Sequence, residues 1–309
     1  MALHEIPLER RTLHGHFSPA LEPILTVEPG DSVAFSCLNA GWRTAEHEVY
    51  PDRREGELDA GHALIGPIEV LGALAGQTLA VEIDEIRIGS GGVTQAGGWS
   101  TPLNDRLGVG EGETITLHWK LDADAGVGRS DSGRQVALHP FLGVIGMPPA
   151  EPGIHSTAPP RPSGGYIDCK ELVAGTKLYL PIPIDGARLS AGDGHAAQGD
   201  GEVSQLAIEA PVERAQLTLS LRDDLRLTTP IAWTPDAWLT FGFDEDLEEA
   251  AAVALDAMLG LMGREHGLER REALALASVV VDLRVTQLVN GARGIHARLA
   301  HDAVRWTTI

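Results

Sequence analysis

The sequence predicts a mainly β protein, a β-sandwich or barrel-like core with a helical element at the C-terminal end. Three observations carry this. The chain has 309 residues with 36 glycines and 19 prolines, and most of these lie before residue 240, between short apolar runs, as in strands separated by turns. A glycine, one or two polar residues and then alternating apolar positions recur four times. The character of the sequence then changes after residue 245, where helical spacing takes over.

The four turn-plus-strand units are Gly30-Asp31-Ser32-Val33-Ala34-Phe35, Gly76 to Val81, Gly112 to Leu117 and Gly175 to Leu180. In each, alternation puts every second side chain on one face, which suits a half-buried strand. Units of this kind favour antiparallel sheets packed face to face over a parallel α/β sheet. Antiparallel structure is expected through most of residues 11–235. Pro148 to Gly165 is rich in proline and glycine and reads as a long functional loop or a linker between two β-rich halves, 1–150 and 151–309.

Asp246-Leu247-Glu248-Glu249 has the form of a helix start, an acidic cap with a Glu three residues on. Leu247, Ala251, Ala254, Leu255, Met258 and Met262 follow at helical spacing, and Gly263 and Gly267 fit the stop. A second helix is expected from Glu269 to about Val289, ended by Asn290-Gly291. The apolar faces of two such helices need a sheet or a second subunit to cover them.

Composition narrows the function classes. The formal charge of −20 repels phosphate backbones and anionic lipid surfaces, so neither nucleic acid nor membrane is an expected partner. No run is long enough to span a bilayer, the first residues lack the apolar stretch of a secretory signal, and two cysteines make no disulfide framework. The expectation is a soluble, cytoplasmic protein. Several motifs fail. Asp122-Ala123-Asp124-Ala125-Gly126 begins like a calcium loop, but its fifth and twelfth positions are glycines. There is no phosphate-binding glycine loop and no Gly-x-Ser-x-Gly elbow. Nothing around Cys169-Lys170 marks an activated thiol.

The densest polar signal is Gly192-Asp193-Gly194-His195-Ala196-Ala197-Gln198-Gly199-Asp200-Gly201-Glu202, three carboxylates, an imidazole and four glycines in eleven residues. Carboxylates with an imidazole suit zinc, and carboxylates with carbonyls suit calcium. A solvated turn fits the same residues, and from the sequence alone both readings stand. His139, ahead of Pro140-Phe141-Leu142-Gly143-Val144-Ile145-Gly146, His62 in Gly61-His62-Ala63-Leu64, and Gly164-Gly165-Tyr166-Ile167-Asp168-Cys169-Lys170 are further clusters. Each also has an ordinary structural reading: a core histidine for the first two, an exposed Asp168/Lys170 pair for the third.

Taken in order, these blocks, with His14-Gly15-His16-Phe17-Ser18-Pro19, Gly66-Pro67-Ile68, Val281 to Gln287 and Asn290-Gly291, resemble the acetamidase/formamidase family across nearly the whole chain. The resemblance implies hydrolysis of short aliphatic amides to a carboxylate and ammonia, a mostly β fold with a helical element, a divalent metal in or near the site, and a homo-oligomer. One departure is Tyr166, where the family often has Asn after the double glycine. On chemistry and motif together, His139, Asp168 and His195 are the candidate metal ligands, with Asp193 as a further one. Glu202 is the candidate general base with His62 as a second catalytic group, and Asp200 and Tyr166 are candidates for substrate binding. Zinc is the first choice of metal and calcium the second. Two other readings stay open. A cupin-like metalloenzyme needs His-x-His with a nearby Glu, and His14-Gly15-His16 has Glu22 only six residues on. A β-sandwich binding module stapled by calcium would show no histidine among the ligands.

Overall fold

The computed structural model describes residues 1–44 and 48–305. The first third of the chain supplies β1 (Leu3–Ile6), β2 (Leu13–His14), β3 (Leu25–Val27), β4 (Ser32–Cys37), β5 (Leu64–Val70), β6 (Thr78–Ile88) and β7 (Gly91–Ala96). The middle adds α1 (Pro102–Leu107), β8 (Ile115–Asp122), β9 (Val127–Ser130), β10 (Gln135–Ala137), β11 (Phe141–Gly146), β12 (Gly164–Tyr166), β13 (Lys177–Pro181) and β14 (Leu189–His195). The rest holds β15 (Val212–Arg222), β16 (Ile231–Trp233), β17 (Ala237–Asp244), α2 (Leu247–His266), α3 (Arg270–Val280), β18 (Val281–Asn290) and β19 (Ala292–Ala300).

All four repeated units are turns feeding strands. They enter β4, β6, β8 and β13, and Gly30, Gly76, Gly112 and Gly175 all have φ between 85° and 97°. That conformation strains any residue with a Cβ, so the glycine at the head of each unit sets where the strand begins.

The strands form three sheets. A nine-stranded sheet runs β1-β4-β15-β6-β13-β16-β17-β19-β18, and a six-stranded sheet runs β12-β11-β14-β5-β2 with β3 also on β5. A four-stranded sheet runs β10-β9-β8-β7. Pairing is antiparallel except for β1 with β4 and β3 with β5. The larger two sheets share one core. Val33, Phe35, Val81, Leu217 and Leu219 on the first meet Ile65, Ile68, Leu142, Ile145 and Leu189 on the second. Burying each such side chain contributes about 1.5–3 kcal/mol, so this interface fixes how the sheets lie. Strands from before and after residue 150 alternate in both: β15 sits between β4 and β6, and β14 between β11 and β5.

Helix α2 begins where expected. The Asp246 carboxylate accepts from the Glu248 backbone N–H, and Gly267 closes the helix in the left-handed conformation. Its buried face, Ala250, Ala254, Met258, Leu261 and Met262, packs with Ile295, Ala297 and Leu299 of β19. The second helix differs from expectation. It ends at Val280, and Val281–Asn290 is a strand that turns at Gly291 (φ 83°) into β19. The apolar residues Val281, Leu283 and Val285 fit a period of two as well as a helix, and pairing with β19 decides for the strand, as tertiary context does for β-branched runs. Of the Pro148 to Gly165 segment, residues 148–163 are a loop that folds back onto the sandwich, where His155 pairs with Phe17 and Thr157 is fully buried, and Gly164 and Gly165 open β12.

Candidate active site

The Gly192–Glu202 block is half strand and half loop, and the strand part is buried. All of Leu189–His195 is inaccessible to solvent, in the middle of the six-stranded sheet. A solvated turn is therefore excluded for Asp193 and His195. The glycines serve close approach: a Cβ on Gly192 would lie 2.4 Å from the Ala63 carbonyl oxygen, and one on Gly194 would lie 2.3 Å from that of Ala210. Strand alternation then aims Asp193 and His195 to one face.

Three other segments converge on that face. Asp168 follows β12, and its N–H bonds to the Gly143 carbonyl on β11. Glu202 sits on a loop held by β18, through Gly201 N–H to Thr286 O and Leu288 N–H to Gly201 O. Glu209 lies in a short extended run beside β14, exchanging backbone bonds with Val93 of β7. Nε2 of His195 is 3.3 Å from both Asp193 Oδ2 and Glu209 Oε1, and Nδ1 is 3.9 Å from Asp168 Oδ1. Phe141 sets its ring edge-on to the imidazole. Asp168, Asp193 and Glu202 all have φ between 44° and 64°. Left-handed residues other than glycine are costly and gather at functional sites.

The cluster has far more polar capacity than partners. Oδ1 of Asp168, both oxygens of Asp193, both nitrogens of His195, both oxygens of Glu202 and Oε2 of Glu209 are buried without a hydrogen bond among the described residues. Bonds that are made go to the periphery: Asn290 donates to Asp168 Oδ2 at 3.1 Å, and Ala207 N–H to Glu209 Oε1 at 3.1 Å. Gly143 forms the floor, where a Cβ would stand 2.4 Å from Asp193 Oδ2, 2.8 Å from Asp168 Oδ1 and 2.9 Å from His195 Cε1. Buried polar atoms left unpaired are expensive. Four carboxylates and one imidazole are donor types that divalent cations take. Ligand atoms of Asp168, Asp193 and His195 lie within 4.8 Å of one another, as do those of His195, Glu202 and Glu209. These residues could hold such an ion.

Electrostatics follow from that crowding. Burial, and then the Glu202 charge, push the Asp168 carboxyl well above its usual range. Burial, then Glu209 and Asp193, raise Glu202 to about 8. Burial alone would keep His195 neutral, but Asp193 and Glu209 outweigh it and raise the imidazole well above its usual value. Burial also works against the Asp193 carboxylate, yet His195 holds it below the ordinary value.

Of the residues singled out from sequence, Asp168, Asp193, His195 and Glu202 meet here. Tyr166 joins them: it is buried, and its phenol is raised well above its ordinary value by burial first and then by these carboxylates. His62 stands at the edge, its ring centroid 4.2 Å from that of Tyr166 and its Nδ1 2.7 Å from Thr157 Oγ1. Burial lowers its basicity against the pull of Asp193 and Glu209.

Two of the expected residues lie apart. His139 is exposed, and the next inward-facing ring, Phe141, occupies the place against His195. Asp200 is engaged by Lys170 at 3.2 Å and by Arg284 Nε at 2.9 Å. Lys170 therefore pairs with Asp200, and the expected exposed pair of Lys170 with Asp168 is absent because Asp168 is fully buried. The Cys169 thiol is buried and its pKa raised by that burial, which suits an inert side chain. His14 and His16 are core histidines, bonded to Ser190 Oγ and the Leu58 carbonyl, away from the carboxylates. Glu209 was missed. Its signal is a lone carboxylate inside Leu206-Ala207-Ile208-Glu209-Ala210-Pro211-Val212. Asn290, a helix stop and part of the family resemblance in the sequence but not a candidate site residue, reaches Asp168 from the β18–β19 turn.

Comparison with known proteins identifies the family. The model of the Acetamidase/Formamidase family matches residues 4–156 and 150–293. A formamidase of Methylophilus methylotrophus is 26% identical over 245 residues, 62% of this chain and 60% of that protein. An acetamidase of Mycolicibacterium smegmatis is 24% identical over 249 residues, 62% of this chain and 61% of that protein. The crystal structure of an acetamidase from Bacillus halodurans superposes with a TM-score of 0.82 at 28% identity, covering 96% of this chain and 97% of that one. Matched along nearly its full length in sequence and in fold, the chain belongs to the acetamidase/formamidase family and is a hydrolase of amide carbon–nitrogen bonds.

Proposed function

We propose that the protein is a metal-dependent amidase that cleaves primary amides to a carboxylate and ammonia at the Asp168–Asp193–His195–Glu202–Glu209 cluster. The observation that carries this is the set of buried, unpaired donor atoms around His195. Asp168, Asp193 and His195 would hold the ion, and the imidazole among the donors favours zinc over calcium, which takes oxygen ligands. When bound, the ion supplies Lewis acidity toward an amide carbonyl and toward water. Glu202 is the general base: it takes a proton from the attacking water and returns one to the departing nitrogen, so that water adds to the carbonyl carbon and the C–N bond breaks to release ammonia. Glu209 orients His195, 3.3 Å from the same Nε2 that Asp193 approaches. Tyr166 and His62 border the substrate. His139 and Asp200 have no part in this set.

The binding-module and cupin readings fare worse. A calcium staple predicts no histidine among the ligands, and a cupin site would use His14 and His16. Exposed Leu274, Val279 and Leu283 on α3 and the edge strand β18 support the homo-oligomer reading. Among the described residues no helix is long and apolar enough to cross a membrane; the two cysteines are free and buried, which accords with the cytoplasmic reading.

The test is ammonia release from formamide and acetamide by protein of measured metal content, before and after chelation and after zinc or calcium is restored. Loss on chelation and recovery with zinc is expected. Full activity in metal-free protein would overturn the metal assignment.

A further inference from the structure

Beside the carboxylate cluster lies a cavity of about 670 Å³. Its inner wall includes His62, which touches Tyr166 and lies within the field of Asp193 and Glu209. Leu206 lines this cavity and also a second space of about 380 Å³ onto which Glu202 opens. The two spaces share that side chain, and His62, packed on Tyr166, is the link between the larger cavity and the carboxylate cluster. Acetamide has four non-hydrogen atoms and would occupy on the order of 100 Å³, since a water takes about 30 Å³. Pockets of about 300–1,000 Å³ take ligands several times larger.

Several polar groups of the lining are engaged with protein partners, while Glu57 and Ser156 are exposed to solvent. The Arg53 guanidinium donates to the Asp59 carbonyl and lies over the Trp42 ring. His155 Nε2 bonds to the Glu151 carbonyl at 2.8 Å, and His62 is tied to Thr157. The large apolar side chains that line the space are Ile154, 48% exposed, and Leu206. Gly61 lets the wall close up, because a Cβ there would stand 2.2 Å from Thr157 Oγ1 and 2.7 Å from the Gly15 carbonyl oxygen.

We infer that this cavity is an acyl subsite and that the substrate class is primary amides with a bulky apolar acyl group, of the size of hexanamide or phenylacetamide. This rests on the amidase reading above. When the leaving group is ammonia, everything beyond the carbonyl belongs to the acyl part, so a cavity beside the reacting carbon can take nothing else of the substrate. Extra methylenes of the substrate leave water against Ile154 and Leu206.

The test measures kcat/KM by ammonia release for formamide, acetamide, hexanamide and phenylacetamide with metal-loaded protein, and repeats it with Leu206→Trp and Ile154→Trp. Each buried methylene is worth about fourfold, so hexanamide should exceed acetamide on the order of 10²-fold. Both substitutions narrow the cavity and should lower the hexanamide-to-acetamide ratio at least tenfold. Ile154 is exposed, so its variant folds even if the Leu206 variant does not. Turnover of acetamide with a ratio at or below one in the parent protein overturns the subsite and leaves the amidase standing. An unchanged ratio in both folded variants overturns the placement in this cavity. No ammonia from any of the four amides overturns the amidase reading and the subsite together.

Discussion

Replacing Gly143 by alanine is the sharpest test of the cluster, because it adds one methyl to the floor of the site and removes nothing. Gly143 lies on β11 in the six-stranded sheet, and its φ is outside the left-handed region, so alanine meets no backbone penalty. Its methyl would stand 2.4 Å from Asp193 Oδ2, where ordinary contact begins at 3.4 Å. The carboxylate must retreat by about 1 Å, and Asp168 Oδ1 and His195 Cε1 by about half that. Metal–ligand distances tolerate roughly 0.2 Å, and a 1 Å misplacement costs on the order of 10² in rate. Alanine at a compatible glycine position otherwise stabilises by about 0.4–1 kcal/mol through the unfolded chain. Gly143→Ala should therefore lose metal and at least about 10² in kcat/KM, while the thermal midpoint of its metal-free form stays within a few degrees of that of the metal-free parent. Metal content by mass spectrometry, ammonia release and calorimetry check this. Parental metal and activity in the alanine variant would refute the geometry, for Asp193 would then not be where the reasoning puts it.

Glu202→Gln should keep the metal and lose about 10²–10⁴-fold in rate, whereas His195→Ala should lose both; metal analysis beside the ammonia assay separates the two outcomes. In metal-free protein Glu202 is raised to about 8, so it must give up a proton to become a base or a ligand. Metal uptake should release protons and tighten as pH rises toward 8, as calorimetry in buffers of different ionisation enthalpy would show. Asp59 is fully buried between Arg10 and Arg54, at 2.9 and 2.8 Å. Burial works to raise its pKa, but the Arg54 and Arg10 guanidinium groups outweigh it and hold the carboxyl below its ordinary value. A depressed folded pKa stabilises fully above the unfolded value of about 3.9 and is lost as pH falls through the folded value. Asp59→Asn should therefore lower the urea midpoint at pH 7 and reduce its fall between pH 5 and pH 3.

The fold was legible where local chemistry decides it. The four glycine-headed units became β4, β6, β8 and β13 because a positive φ followed by alternation needs no distant partner. Helix α2 was legible for the same reason, with its Asp246 cap and Gly267 stop both inside the segment. Residues 281–290 were not, since Val281, Leu283 and Val285 satisfy either period, and the partner that settles the matter, β19, comes later in the chain. His139 misled for a related reason. A histidine ahead of an apolar strand looks placed for a site, yet which residues of a strand face inward depends on register with β14, where Phe141 pairs with His195.

The site itself was half legible, and the missing half has a common physical cause. Asp193 and His195 could be found because one strand carries both at a spacing of two. Glu209 and Asn290 come from a segment 14 residues beyond His195 and from a hairpin turn, brought in by Val93 and by β19. Asp168, Asp193 and Glu202 are held with φ values that local preference disfavours. No scan for propensity can recommend such residues, because what keeps them in place is the sheet around them. The backbone of Gly143 anchors Asp168, β18 grips the loop of Glu202, and the close contacts of Gly192 and Gly194 seat β14 against Ala63 and Ala210. A site assembled this way is stiff before anything binds. Its unpaired carboxylates are then held facing one another around one imidazole, the arrangement that the cation proposed above would satisfy.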